Sequence, residues 1–343
     1  MTRRTTVTVA CCQLAPRIGD LAYNRQLTER AIRSAAAQGA QVVVLPELIQ
    51  SGYCFVDPIE ALSLSETRNG PTLRLWKALA RELNLVIVGG FCERLKGNEL
   101  ANSAAMIDTT GLRAVYRKAH LWDTEKAIFK PGNEAPPVVD TAHGRIGMLI
   151  CYDLEFPEWV RLPALAGADL LCAPVNWPQG PKPKVERPAE VVRVQANASV
   201  NRMFIAACDR YGHERGVDWV QGSVIVDTDG YPLAGLIDQA DEQILLATLN
   251  LAEARNKRIS EHNDLHCDRR PHRYFPDGQI QSRKIPDMTM LEEIKELLAL
   301  TIQNERFTAF VANSDTQIDQ QASLGYQQRK MRIGEISRRY GLL

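Results

Sequence analysis

Residues 145–158 read RIGMLICYDLEFPE, an apolar run that ends at Cys151 and continues into acidic residues and a proline. The run predicts a buried strand, and the residues after Phe156 predict an amphipathic helix. A cysteine between the two would lie on a sharp strand-to-helix turn, with its sulfur beside backbone N–H groups. Such a turn favours a thiolate and can stabilise an oxyanion, whereas a buried strand cysteine is commonly an inert core residue.

Two further strand ends carry side chains that suit a reactive thiol. Residues 41–47 read QVVVLPE, so Pro46 ends a strand buried on both faces and Glu47 emerges at its carboxyl end. Residues 112–122 alternate like a strand and deliver Lys118 near its end. Either residue alone would more often be a solvated surface charge. Together with the cysteine they supply a nucleophile, a base and a fixed cation.

These three motifs resemble those of the nitrilase superfamily of carbon–nitrogen hydrolases. They read LPE at 45–47, YRK at 116–118 and LICYD at 149–153, and the resemblance extends from about Thr6 to Phe275. It implies an α/β fold, a four-layer α-β-β-α sandwich. The alternation of helices with strands early in the chain and the hairpins in both halves favour the same arrangement.

Local patterns predict the main elements of that fold. The predicted strands and hairpin arms include Thr5–Leu14, Leu85–Glu93, Ala101–Ile107, Leu112–Lys118, Asp169–Ala173, Met203–Asp209 and Gln243–Leu249, and the predicted helices include Asn24–Gln38, Thr72–Leu83, Pro157–Ala166 and Val191–Asn201. We expect a hydrolase domain at residues 1–275 and a C-terminal extension of helical character at 276–343. An apolar stripe in that extension includes Leu291, Ile294, Leu298 and Ile302.

The residue types predict the chemistry. Glu47 can take the thiol proton as Cys151 attacks, and can return it to the leaving amine. Lys118 can support the thiolate and stabilise the oxyanion together with the backbone N–H of Tyr152. The resemblance implies that Glu125 is a second glutamate that orients substrate and lysine. The alternative is a surface acid paired with the adjacent lysine.

Three more residues are candidates for the substrate pocket. Asn176 and Trp177 follow a strand on the same side as the cysteine, and Tyr53 comes shortly after Glu47. The alternative for each is a structural role in a loop or in the core.

The predicted activity is thiol-dependent hydrolysis of a small carboxamide to a carboxylic acid and ammonia through an acyl-thioester on Cys151. The CYD sequence followed by FPE at 156–158 is similar to the amidase-type branches, whereas nitrilases usually carry Trp-Glu-Asn after the cysteine. An N-carbamoyl amine or N-carbamoyl amino-acid hydrolase is the alternative that uses the same triad, and nitrile hydrolysis ranks below both. A catalytically silent interaction protein on the same fold is the non-enzyme alternative.

Composition excludes several other classes. The 343 residues include 41 basic and 41 acidic side chains, so no net charge favours nucleic acid or a membrane surface. No apolar run approaches the ~20 residues that span a bilayer. We expect a cytoplasmic location, a small-molecule amide as substrate, and a homodimer or higher homo-oligomer.

The cysteines and histidines favour neither disulfides nor a metal. Eight cysteines lack the spacing of a disulfide framework. His262, His266, Cys267 and His272 cluster, but no second pair at zinc spacing accompanies them. We expect free thiols and neither a metal nor another cofactor.

Overall fold

The computed structural model describes residues 6–183, 186–235, 241–274, 288–312 and 320–340. The strands are β1 (Thr6–Gln13), β2 (Val42–Val44), β3 (Val86–Arg94), β4 (Leu100–Asp108), β5 (Gly111–Arg117), β6 (Val138–Thr141), β7 (Gly144–Met148), β8 (Leu170–Pro174), β9 (Phe204–Cys208), β10 (His213–Glu214), β11 (Val217–Asp218), β12 (Val224–Val226), β13 (Pro232–Gly235) and β14 (Gln243–Asn250). The helices are α1 (Leu21–Ala37), α2 (Pro58–Ser63), α3 (Pro71–Leu83), α4 (Glu125–Ile128), α5 (Pro157–Leu165), α6 (Ala189–Asn201), α7 (Leu251–Arg255), α8 (Pro271–Tyr274), α9 (Met288–Ala312) and α10 (Gln320–Arg339), with 3₁₀ turns at Lys96–Asn98 and Cys151–Glu155.

Two mixed sheets of six strands each form the centre of the first part of the chain. Their strand orders are β14-β1-β2-β3-β4-β5 and β13-β12-β9-β8-β7-β6. Strands β1, β2 and β3 run parallel, as do β7, β8 and β9. The carboxyl ends of β2 and β7 therefore lie at edges where ligand sites of α/β sheets form.

The alternation of side chains on β1 shows how the layers are built. Val7, Val9 and Cys11 belong to the core that includes the second sheet and helices α5 and α6. Ala10 and Cys12 point the other way, into a core with helices α1 and α3. Since successive residues of a strand face opposite sides, one short segment joins both cores. The predicted four-layer α-β-β-α sandwich is confirmed.

Most predicted elements lie within one or two residues of those observed. Helix α1 begins three residues earlier than predicted, because the side chain of Asp20 caps it by accepting the N–H of Tyr23 at 2.9 Å. Of the predicted first strand, Thr5 lies outside the described residues. All eight cysteines are free thiols, as expected.

The chain divides into two compact units, Met1–Arg269 and Arg270–Leu343. The second unit contains the predicted helical extension. Its helices α9 and α10 are joined by an ion pair between Arg332 and Glu296 at 2.9 Å and by stacking of Phe307 on Tyr326.

Three sequence predictions concern the apolar stripe, the domain boundary and the absence of a membrane-spanning helix. Ile294, Leu298 and Ile302 of the apolar stripe are 37–62% exposed, whereas the side chain of Leu291 lies outside the described residues. The predicted boundary after Phe275 falls in a range that is not described and stays a prediction. No described helix combines the length and the apolar composition that crossing a bilayer requires.

Candidate active site

Cys151 lies where the second sheet gives way to helix. It opens the 3₁₀ turn that precedes α5, and its φ of 46° is left-handed. This conformation costs a non-glycine residue about 1–2 kcal/mol. The carboxylate of Asp153 supports the turn by accepting the N–H of Ile150 at 3.1 Å. The sulfur is almost buried and lies 3.6 Å from the carbonyl oxygen of Asn176. The predicted strand-to-helix turn is present.

Glu47 follows β2 and is fully buried. Its backbone approaches β3 so closely that a Cβ on Gly90 would lie 2.6 Å from the Cα of Glu47, which requires glycine there. Its Oε1 accepts from Lys118 Nζ and Asn102 Nδ2, both at 2.7 Å. Its Oε2 is buried without a hydrogen-bond partner in the part of the chain that the structure describes. One oxygen is therefore anchored, and the other remains available to a proton or a ligand.

Lys118 lies between two carboxylates. Its Nζ donates to Glu47 at 2.7 Å and to Oε1 of Glu125 at 2.8 Å. Glu125 also accepts from the Tyr53 hydroxyl at 2.5 Å and from the N–H of Trp122 at 3.1 Å. Because Glu125 is only 3% exposed, the alternative of a solvated acid paired with Lys126 does not apply.

Burial sets the ionisation of this group. Burial raises the pKa of Glu47 to about 7, although the ammonium of Lys118 opposes the shift. For Lys118, burial alone would lower the pKa, but the carboxylates of Glu125 and Glu47 raise it well above its usual value, so the amine stays charged. Burial, reinforced by Glu47, raises the pKa of the Cys151 thiol despite Lys118. This direction is opposite to the one expected from the turn alone, and the thiol of this predicted nucleophile is neutral at rest.

A cavity of about 90 Å³ opens beside the sulfur. Its wall comprises Trp122, Cys151, Tyr152, Glu155, Asn176, Trp177, Pro178 and Glu190. The space corresponds to roughly three water molecules, which suits a small substrate. A larger cavity of about 460 Å³, near Arg68 and Arg117, contains none of the three predicted triad residues.

The structure brings most of the predicted site residues together. Tyr152, Asn176 and Trp177 line the cavity. Tyr53 is not among the wall residues. It holds Glu125, and its ring packs edge-to-face against Trp219 at 5.4 Å.

Sequence reasoning missed Asn102, which contacts both Glu47 and, at 3.5 Å, Glu125. The available signal was an amide side chain inside the mostly apolar strand β4. It also missed the contributions of Trp122, Glu155 and Glu190 to the cavity wall, because no local pattern brings those three segments together.

No metal centre is evident in the described ranges, where no group of three or more histidine, cysteine or acidic side chains is arranged to hold an ion. In the loop with His266 and Cys267, the carboxylate of Asp264 accepts the backbone N–H groups of both residues at 2.9 and 2.8 Å. This loop has a local structural explanation. The expectation of no metal stays a prediction.

The sequence profile described as carbon-nitrogen hydrolase matches residues 8–259. The chain belongs to the carbon–nitrogen hydrolase family. A nitrilase of Pyrococcus abyssi is 35% identical to this carbon–nitrogen hydrolase over 272 residues, 78% of this chain and 99% of that protein. A citrullinase of Francisella tularensis is 35% identical over 266 residues, 74% of this chain and 92% of that protein.

A solved structure of a mutant of the amidase from Nesterenkonia sp. AN1 is 27% identical in sequence, with a TM-score of 0.63. The matched region spans 76% of this carbon–nitrogen hydrolase and 97% of the amidase chain. That structure shows covalent addition of the acetamide moiety of fluoroacetamide at the active site cysteine of the amidase. The prediction of an enzyme of the amidase type is thereby confirmed.

Proposed function

We propose that this enzyme hydrolyses a small carboxamide to a carboxylic acid and ammonia through an acyl-thioester on Cys151. The observation that carries the proposal is the buried Glu47–Lys118–Glu125 group beside a thiol that opens to a small cavity. The group contains a base whose pKa is about 7 and a permanently charged cation. A pKa near the working pH suits a group that must both take and return a proton.

The neutral thiol requires a base during attack. Glu47 takes the proton as the sulfur of Cys151 bonds to the amide carbon and the carbonyl electron pair moves to oxygen. Lys118 and the N–H of Tyr152 stabilise that oxyanion. When the oxyanion collapses, the C–N bond breaks, Glu47 delivers the proton to nitrogen, and ammonia leaves.

The thioester is then hydrolysed by the reverse use of the same groups. Glu47 takes a proton from a water molecule as the oxygen of that water bonds to the acyl carbon. Collapse of the second tetrahedral species breaks the C–S bond, and the thiolate regains the proton as the acid departs. Glu125 contributes by holding Lys118 in place, and the Tyr53 hydroxyl holds Glu125.

Unpaired acceptors favour an amide over a nitrile. Glu47 Oε2 and Asn176 Oδ1 are buried and have no donor among the residues that the structure describes. An unpaired buried acceptor costs about 1–3 kcal/mol. A carboxamide brings two N–H donors that can relieve this cost, whereas a nitrile brings none.

The cavity wall supports a second candidate, hydrolysis of an N-carbamoyl amine to an amine, carbon dioxide and ammonia. Glu155 and Glu190 lie on the same wall as aromatic Trp122, Tyr152 and Trp177, and this combination suits a distal ammonium group. Arg193 lies 2.7 Å from Glu155 and offsets part of that charge. The similarity to a citrullinase, an enzyme named for a substrate with a ureido group, points the same way.

One panel of substrates distinguishes the candidate activities. Purified enzyme is assayed for ammonia with small amides, N-carbamoyl compounds with cationic or anionic ends, and the corresponding nitriles. We expect Cys151-dependent ammonia release from amides, with cationic carbamoyl compounds as the next best class. Ammonia from nitriles alone would contradict the proposal, and no turnover of any compound would favour a silent interaction protein.

Four further predictions about the protein stay predictions. They are a cytoplasmic location, a homo-oligomeric state, the absence of a cofactor and a hydrolase domain that ends near residue 275.

A further inference from the structure

Asp153 is a fully buried carboxylate that the proposed chemistry does not use. Its Oδ2 accepts from the Tyr116 hydroxyl at 2.8 Å and from the N–H of Ile150 at 3.1 Å. Its Oδ1 accepts from the backbone N–H of His120 at 3.1 Å and from Nδ1 of the same histidine at 2.8 Å. Four donors therefore converge on one side chain.

Those donors come from both sheets. Tyr116 lies in β5 of the first sheet, two residues before Lys118, and His120 lies two residues after Lys118, beyond the end of that strand. Ile150 directly precedes Cys151, after the end of β7 in the second sheet. The Asp153 carboxylate thus connects the backbone that carries the proposed cation to the turn that carries the proposed nucleophile.

Neighbouring side chains orient the two side-chain donors of this link. The ring of His120 stacks on Phe156 with centroids 3.8 Å apart, which orients its Nδ1. The Tyr116 hydroxyl accepts from the indole N–H of Trp159 at 2.9 Å, so its own proton is directed to Asp153. The link is therefore a fully partnered network, which specifies a single geometry.

We propose that Asp153 is a positioning residue that sets the distance between Cys151 and Lys118. Hydrogen bonds to a charged group are stronger than those between neutral groups, and the four bonds to Asp153 together oppose the cost of the left-handed backbone at Cys151. Loss of the carboxylate would therefore let the turn relax. A misplacement of about 1 Å at a reacting group can lower the rate about 100-fold.

This inference rests on the proposed function, since it assumes that Cys151 and Lys118 act together. Asp153→Asn keeps the shape but turns an amide NH₂ toward groups that are themselves donors. We expect kcat to fall about 10–100-fold per folded molecule while KM stays within about threefold, because geometry at the reacting atoms is lost and the cavity wall is kept. Alkylation of Cys151 by iodoacetamide should slow in the same variant.

Two variants of His120 test the link without touching Asp153. His120→Ala removes the Nδ1 donor, whereas His120→Asn offers an amide N–H at about the same place. We expect the alanine variant to lose about tenfold in kcat and the asparagine variant to recover to within about threefold of wild type. That rescue is a readout that a merely structural role would not produce. The exposed acid Glu158 provides the control Glu158→Gln, which should match wild type in kcat and KM.

Circular dichroism reports the folded fraction of each variant. If Asp153→Asn does not fold, the His120 pair and Tyr116→Phe, which removes one hydrogen bond from Oδ2, decide the question. Equal kcat for the two His120 variants, or wild-type kcat in Asp153→Asn, would overturn the positioning role. Full activity in Cys151→Ala would instead overturn the proposed function, so the two failures are distinguishable.

Discussion

Glu47→Gln separates the proposed base from the fold around it. A glutamine oxygen can take the place of Oε1 and keep the hydrogen bonds from Lys118 and Asn102, and its NH₂ then occupies the position of the unpartnered Oε2. The variant should fold, because no buried donor is left facing another donor. It cannot accept or return a proton.

The expected loss follows from the ionisation of the thiol. Burial raises the pKa of the Cys151 thiol, so the resting thiol is neutral and needs a base to take its proton during attack. Loss of a positioned base alone typically lowers the rate about 100-fold or more. Loss of proton delivery to the leaving nitrogen lowers the rate by a further factor of about 100 or more. The two factors do not multiply fully, because both belong to one residue. We expect kcat to fall at least about 1,000-fold.

A second readout distinguishes loss of the base from general damage. Glu47 raises the pKa of the thiol and Lys118 lowers it. Removing the carboxylate charge should therefore increase the thiolate fraction, and iodoacetamide should alkylate Cys151 as fast as in wild type or faster. Ammonia release is measured in parallel, with Glu158→Gln as the control. A kcat within about tenfold of wild type, or alkylation that slows in proportion to kcat, would refute the reasoning.

Three other outcomes are expected. Lys118→Met should lower kcat more than about 1,000-fold and reduce the free energy of unfolding by about 3–5 kcal/mol, since it leaves two buried carboxylates facing each other; activity within tenfold of wild type would contradict this. Because the pKa of Glu47 is about 7 and only its ionised form accepts the thiol proton, kcat/KM should fall with a slope of one as the pH drops below about 7, and a flat profile from pH 5.5 to 8 would contradict it. Truncation after Pro276 should preserve activity per folded molecule and change the mass measured by light scattering or the solubility, whereas a soluble, inactive product of unchanged mass would assign the extension to the active site.

The sequence predicted the local elements well because their signals are local. The alternation in Thr6–Gln13 and the helical period before Gly39 are visible within a short window. The antiparallel pairing of β1 with β14 joins residues as far apart as Thr6 and Asn250, and no local pattern contains that information. The short strand β6 was missed because its four residues, VVDT, show no clear alternation of apolar and polar side chains.

The site residues also divide into those with a local sequence signal and those without one. Cys151, Glu47 and Lys118 could be singled out because each lies at the end of a predicted strand, an apolar one for Cys151 and Glu47 and an alternating one for Lys118. Glu125 was identified only through the family resemblance, because nothing local distinguishes it from a surface acid.

Two features of the site could not be predicted from any one segment. The role of Tyr53 depends on the distance between its hydroxyl and Glu125, and that distance arises from the packing of the Tyr53 loop against the start of α4. The raised pKa of the thiol depends on burial, which overrides the effect of the turn at the end of the strand.

The central claim is that Cys151 carries the acyl group. The most direct measurement is intact-protein and peptide mass spectrometry after mixing the enzyme with a slowly hydrolysed amide and quenching in acid. The account predicts a mass increase equal to the acyl group, located on Cys151 and absent from Cys151→Ala. Ammonia release at the wild-type rate by Cys151→Ala, or an acyl group on another residue, would contradict it.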